Sequence, residues 1–121
     1  MIVLDASVVI AYLDPDDAHH RAAVELIANA TPPLLLHPVT AAEVLVAPMR
    51  RGVAERVWAD LVAIGVEVDS SPLDPMQLAR LRSATACKMP DCCVLAVAET
   101  RHVAVASFDE RLTRHVEVPP A

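Results

Sequence analysis

The sequence is short of almost every feature that would announce a function by itself. Its longest apolar run, Cys92 to Ala98, is far below the ~20 residues needed to cross a bilayer, and no basic segment precedes the apolar N-terminus. A soluble, unexported, cytoplasmic protein with no membrane partner is therefore expected. Cysteine is limited to Cys87, Cys92 and Cys93, an odd number without metal-ligand spacing, so neither a disulfide framework nor a zinc site is indicated. In or beside an apolar run these thiols act as small hydrophobes. Positive charge is also in deficit: ten Lys and Arg face sixteen Asp and Glu, for a net charge of −6, which disfavours passive binding of nucleic acid by charge alone. Lysine occurs once, as Lys88, and the five histidines are scattered or adjacent, without zinc spacing. Trp58 is the single tryptophan; it could stack on a base, although buried packing is its ordinary role.

What is present is apolar residue, 55% of 121, enough for one domain with a substantial core and too little chain for two. Short β-prone runs alternate with segments of helical spacing. Met1 to Asp5, Leu34 to His37, Val66 to Asp69 and Val103 to Ala106 are expected as strands, with His115 to Val118 as a final edge strand. Helices are expected from Val8 to Leu13 capped by Ser7, and from Asp16 or Asp17 to Asn29 with Ala22, Leu26 and Ile27 inward. Others are expected from Ala41 capped by Thr40 with Pro48 ending or kinking it, from Val53 to Ile64 closed by Gly65, from Pro75 to near Cys87, and from Asp91 to Thr100. Strands that alternate with helices imply a single α/β domain over residues 1–121: a central, mostly parallel sheet of four to five strands flanked by helices on both faces.

Four acids stand at the edges of these apolar segments: Asp5, Glu43, Asp91 and Asp109. In a parallel sheet ligands bind beyond the carboxyl ends of the strands, so Asp5 and Asp109, which follow strands, and Glu43 and Asp91, which open helices, are all expected at one crevice. Convergent carboxylates imply a hard cation held by oxygen. Each acid also has a plain structural role available. Asp5, Asp91 and Asp109 can each serve a helix N-terminus, and Thr40 with Glu43 fits a capping box. Two further pairings favour a site: Ser7 lies two residues after Asp5, and Ser107 two before Asp109, where hydroxyls can orient carboxylates. Turn-making is their ordinary alternative.

Taken in order, Met1-Ile2-Val3-Leu4-Asp5-Ala6-Ser7, then Glu43, then Met89-Pro90-Asp91-Cys92-Cys93-Val94-Leu95-Ala96, then Val105-Ala106-Ser107-Phe108-Asp109, the sequence resembles PIN-domain ribonucleases, and more narrowly the VapC-type toxins of toxin–antitoxin pairs. The resemblance covers nearly the whole chain. It implies a single PIN domain with Asp5, Glu43, Asp91 and Asp109 as catalytic and metal-binding acids, and Ser7 and Ser107 as supporting hydroxyls. It further implies a Mg²⁺- or Mn²⁺-dependent endoribonuclease acting on structured RNA, a cognate VapB-type antitoxin and a homodimer. Arg50 and Arg51 are the candidate RNA contacts visible in the sequence. The rival expectation is a catalytically inactive PIN-like module for RNA binding or assembly. A phosphorylatable receiver domain fits less well, because it wants paired acids near the first strand end and a lysine on a late strand, where Lys88 does not fall.

Overall fold

The computed structural model describes residues 1–114, so the expected edge strand at 115–118 lies outside the described residues. The chain runs β1 (Ile2–Leu4), α1 (Ala6–Leu13), α2 (His20–Asn29), β2 (Leu34–Leu36), α3 (Pro38–Arg50), α4 (Ala54–Ala63) and β3 (Val66–Val68). It continues as α5 (Pro75–Thr85), α6 (Met89–Arg101), β4 (Ala104–Ala106) and α7 (Glu110–Thr113). The four strands form one parallel sheet in the order β3-β2-β1-β4.

Side chains alternate across a strand, and the core divides accordingly. Leu4, Leu34, Leu36, Val66 and Ala106 point to one face, where Val8, Val9, Ala23, Ile27, Val44 and Leu61 from α1 to α4 cover them. Val3 and Leu35 point to the other, under Leu81, Cys92, Val94, Leu95, Val97 and Leu112 from α5 to α7. Helices thus lie on both faces, as expected. All three thiols are buried and unpaired, and burial pushes those of Cys92 and Cys93 above the ordinary range, which leaves them as packing groups. Trp58 is half-buried against the first cluster, the packing role rather than an open stacking platform.

Several helix starts differ from the sequence expectation for local reasons. α1 begins two residues earlier, at Ala6 rather than Val8, with Asp5 rather than Ser7 at its N-cap. α2 begins only at His20, because Asp17 holds the preceding turn: its carboxylate accepts from the His19 amide at 2.8 Å and its carbonyl from His20 at 3.0 Å. That phase turns Ala23, not Ala22, to the core. α3 begins at Pro38, whose missing N–H costs nothing at a first helical position. Its cap is His37, with Nδ1 accepting from the Val39 amide at 3.0 Å, so Thr40 lies inside the helix and no capping box forms with Glu43. Pro48 is carried within α3, near its end. At Gly65, φ is +102° and an added Cβ would lie 2.8 Å from Pro32 Cβ, so the turn from α4 into β3 needs glycine twice over.

A second polar group follows β2 and β3. Asp69, its side chain 2% exposed, accepts from Arg101 Nε at 2.8 Å and from the Ser71 hydroxyl at 3.2 Å. Arg101 thereby ties the end of α6 to the end of β3. Arg101→Ala is expected to cost about 1–3 kcal/mol, the penalty for stranding a buried charged acceptor. An unshifted urea midpoint would show that Ser71 satisfies Asp69 without it.

Candidate functional site

Every strand ends in a polar residue: Asp5 after β1, His37 after β2, Asp69 after β3 and Ser107 after β4. The chain order reverses at β1, with β2 on one side and β4 on the other, which places the crevice over the β1 and β4 ends. Their register pairs Leu4 with Ala106, and the Asp5 amide donates to the Ala106 carbonyl at 2.9 Å. The next residue on each strand follows suit. Asp5 and Ser107, remote in sequence, become neighbours.

Asp5 is 6% exposed and does not cap α1 with its side chain. Its Oδ2 instead accepts from the hydroxyls of Ser7 and Ser107, each at 2.8 Å. Each hydroxyl in turn accepts a backbone amide: Ser7 from Phe108 at 3.0 Å and Ser107 from Asp109 at 2.9 Å. A hydroxyl has one proton to give, so the 3.5 Å separation between the two oxygens is a contact and not a third donated bond. The network orients the Asp5 carboxylate by one oxygen. Among the described residues, Oδ1 accepts nothing.

Glu43 and Asp91 share the field of Asp5. Glu43 projects from the second turn of α3, and its carboxyl is raised above the usual range by partial burial and then by the charges of Asp5 and Asp91. Asp91 stands in the first turn of α6 and is raised by burial and by Asp5 and Asp109, with Arg111 and Lys88 acting in the opposite direction. Asp109 is differently placed. It caps α7, accepting from the Arg111 amide at 2.9 Å, and its Oδ2 lies 3.4 Å from the Arg111 guanidinium. Burial alone would raise its carboxyl, but the hydrogen bonds and charge of Arg111, with the Leu112 amide, bring it below the ordinary range. The structural role foreseen for Asp109 is thus filled, while its charge still reaches Asp91.

Asp5, Glu43 and Asp91 therefore repel one another, and Asp109, though engaged by Arg111, adds to the field at Asp91. Among the described residues no three histidine, cysteine, aspartate or glutamate side chains are drawn close enough to form a ready ligand cage. Magnesium does not require one, since it keeps several waters and is commonly held by one or two carboxylates with substrate phosphates. An oriented Asp5 with one open oxygen, beside two carboxyls displaced toward protonation, has the donor chemistry for such an ion. Arg50 and Arg51 stand elsewhere: at the C-terminal end of α3, about 10–12 Å along the axis from Glu43. Sequence spacing did not single out Arg111, whose position beside Asp109 and Asp91 follows from α7.

The raised carboxyls set a pH dependence. Above their folded pKa values both folded and unfolded chains are ionised, and the native state bears the full repulsion. As pH falls through those values toward the unfolded 4.5 and 3.8, the native state takes up protons first and its stability recovers. His37 acts in the other sense: burial, against the Asp69 charge, lowers it, so its contribution is complete above 6.5 and is lost below. Glu43→Gln is expected to stabilise the metal-free protein at pH 7.5, by less than about 1 kcal/mol because the group is exposed to screening solvent. Melts in chelator should show the advantage shrinking toward pH 4.5; an advantage equal at both ends contradicts the assignment.

A parallel α/β domain with an acidic crevice at a switch in strand order defines a class, and comparison supplies the family. The sequence matches the PIN domain family over residues 2–118. The chain belongs to the PIN domain family. Comparison with curated protein sequences finds no significant match. Among solved structures it is similar to Mycobacterium tuberculosis VapC20, a sarcin–ricin loop cleaving toxin, with TM-score 0.74 and 18% identity over 94% of each chain. It is similar also to FitAcB from Neisseria gonorrhoeae, with TM-score 0.72 and 19% identity over 93% of this chain and 90% of that one. A toxin–antitoxin complex from Klebsiella pneumoniae matches with TM-score 0.71 and 18% identity over 90% and 87%. At these identities the likeness is one of fold.

Proposed function

We propose that the protein is a Mg²⁺- or Mn²⁺-dependent endoribonuclease, the toxin of a toxin–antitoxin pair, hydrolysing a phosphodiester in structured RNA. The observation that carries this is the Asp5 carboxylate, oriented through Oδ2 by two hydroxyls, left open at Oδ1, and in mutual repulsion with the carboxyls of Glu43 and Asp91. A divalent ion held here would supply an activated water and offset charge on the reacting phosphate. Asp5 would be the central residue holding it, with Asp91, while Glu43 would act directly or through water. Asp109 would join them once freed from Arg111. Ser7 and Ser107 hold Asp5 by Oδ2, which leaves Oδ1 free for a ligand. No side chain is required as a nucleophile.

One similar structure is a toxin that cleaves the sarcin–ricin loop and another is a toxin–antitoxin complex, which supports a nuclease controlled by an antitoxin. An antitoxin segment laid over the crevice with a cation among the carboxylates would compete for the same charge. A homodimer is part of the same reading. The test is incubation of the purified protein with total RNA in Mg²⁺, Mn²⁺ or chelator, with the cut ends mapped. Metal-activated water leaves 5′-phosphate and 3′-hydroxyl ends; cyclic phosphates, or equal cutting in chelator, overturn the mechanism. Adding the product of the neighbouring gene should suppress cleavage.

The engagement of Asp109 by Arg111 favours one second reading, a non-catalytic RNA-binding or assembly module. RNA binding indifferent to metal, without cleavage, is its signature.

A further inference from the structure

Four of the chain's ten lysines and arginines line a single pocket of about 390 Å³: Arg82, Lys88, Arg111 and Arg114, against one acid, Asp91. In a protein of net charge −6 this is a marked local reversal of sign. The pocket also reaches the acidic residues, because Asp91, which feels the charges of Asp5 and Asp109, is part of its lining.

Its cations are held by different means. Arg82, in the last turn of α5, donates to the carbonyls of Ala86 and Cys87, at 2.7 Å for the first. These bonds fix its position while leaving its charge uncompensated by any carboxylate among the described residues. Ala86, at φ +57°, turns the chain sharply there and brings Lys88 to the mouth. Lys88 is the N-cap residue of α6, yet its side chain makes no cap bond and is exposed. Arg111 pairs with Asp109 at 3.4 Å, longer than the ~2.7–2.9 Å of a tight charge-assisted bond, and is 70% exposed. It is loosely held and can turn to an anion on its other side.

Resting on the nuclease reading above, we infer that this pocket seats the backbone phosphate next to the scissile one, making Arg82, Lys88 and Arg111 the residues that set the register of the RNA strand. A strand whose reacting phosphate lies against Asp5 and Asp91 continues past Asp91, and its next negative charge meets these cations. Phosphate contacts of this kind position the strand without reading its sequence. Arg50 and Arg51, at the far end of α3, are not on that path.

The experiment uses the full chain carrying Asp5→Asn, so that binding is observed without cleavage, and a fluorescent mixed-sequence single-stranded RNA titrated at several salt concentrations. Adding Lys88→Gln should weaken binding and lower the slope of log K against log salt by about 0.7, the loss of one phosphate contact on a single strand. Lys88→Arg should keep the slope. Arg82→Gln should act likewise; because Arg82 also braces the Ala86 turn, Lys88 carries the test if that variant fails to fold. An unchanged slope in Lys88→Gln overturns the inference, even when the protein lacking the Asp5 change cleaves RNA with Mg²⁺. Displacement of the RNA by polyglutamate of equal charge at equal concentration overturns it too, and marks the pocket as a contact for an acidic protein. If the unmutated chain neither binds nor cuts RNA, the nuclease reading falls with it.

Discussion

Asp5→Asn is expected to reduce RNA cleavage by about 10³-fold or more while leaving the metal-free protein as stable as before or more so. The activity loss follows from the position of Asp5 at the centre of the carboxylates. On the proposed mechanism its removal forfeits several kcal/mol of charge stabilisation at the reacting phosphate, and about 4 kcal/mol corresponds to roughly 10³ in rate. The unchanged fold follows from the hydrogen bonds. An asparagine carbonyl in the place of Oδ2 still accepts from Ser7 and Ser107, so the link between β1 and β4 survives. The repulsion that Asp5 exerts on Glu43 and Asp91 is removed at the same time. A pair of unit charges ~4 Å apart at an effective dielectric of ~20 repels by about 4 kcal/mol before solvent and protonation relieve it, so even a small residue of that cost favours the variant. Cleavage assays beside thermal melts check both halves. A large fall in Tm with normal turnover would make Asp5 a structural residue.

The second expected result is a metal-dependent gain in stability. Magnesium or manganese at a hundred times its dissociation constant should raise stability by about 2.7 kcal/mol if, as proposed, the ion binds the folded chain and not the unfolded one. For a domain of this size that corresponds to roughly 10 °C in Tm. Most of the shift should vanish in Asp5→Asn and in Asp91→Asn, which remove carboxylates from the shared field, and persist in Arg50→Ala, far along α3. Calorimetric melts with and without the ion read this independently of any RNA. A Tm that ignores both ions means that Asp5, Glu43 and Asp91 do not share one, and the charge they hold must then be met by another partner.

These two results depend on different levels of information. The acids themselves were legible because they occupy local boundaries: Asp5 ends a strand, Asp91 opens a helix, and both placements follow from apolar runs. The alternation of strands and helices, the two-sided burial and the single domain came from the same short-range periodicity. Helix starts were misjudged where a residue of unusual chemistry replaced an ordinary cap, as His37 does for α3, or where a carboxylate held a turn, as Asp17 does before α2. The capping role considered for Glu43 disappears once Pro38 opens the helix, and the one considered for Asp109 is realised.

By itself, then, the chain determined its elements and the residue types at their ends, because 3.6-residue and two-residue periods, caps and prolines act within a few positions. Strand order and register act between residues about thirty to a hundred apart, and only folding resolved them. The β1–β4 register set Ser107 against Asp5 and so chose which carboxylate oxygen stays open. The placing of α7 gave Arg111 to Asp109, and the turn at Ala86 gathered Arg82 and Lys88 beside Asp91. No local rule encodes those meetings, since each arises from packing helices onto a sheet whose neighbours are not consecutive in the chain.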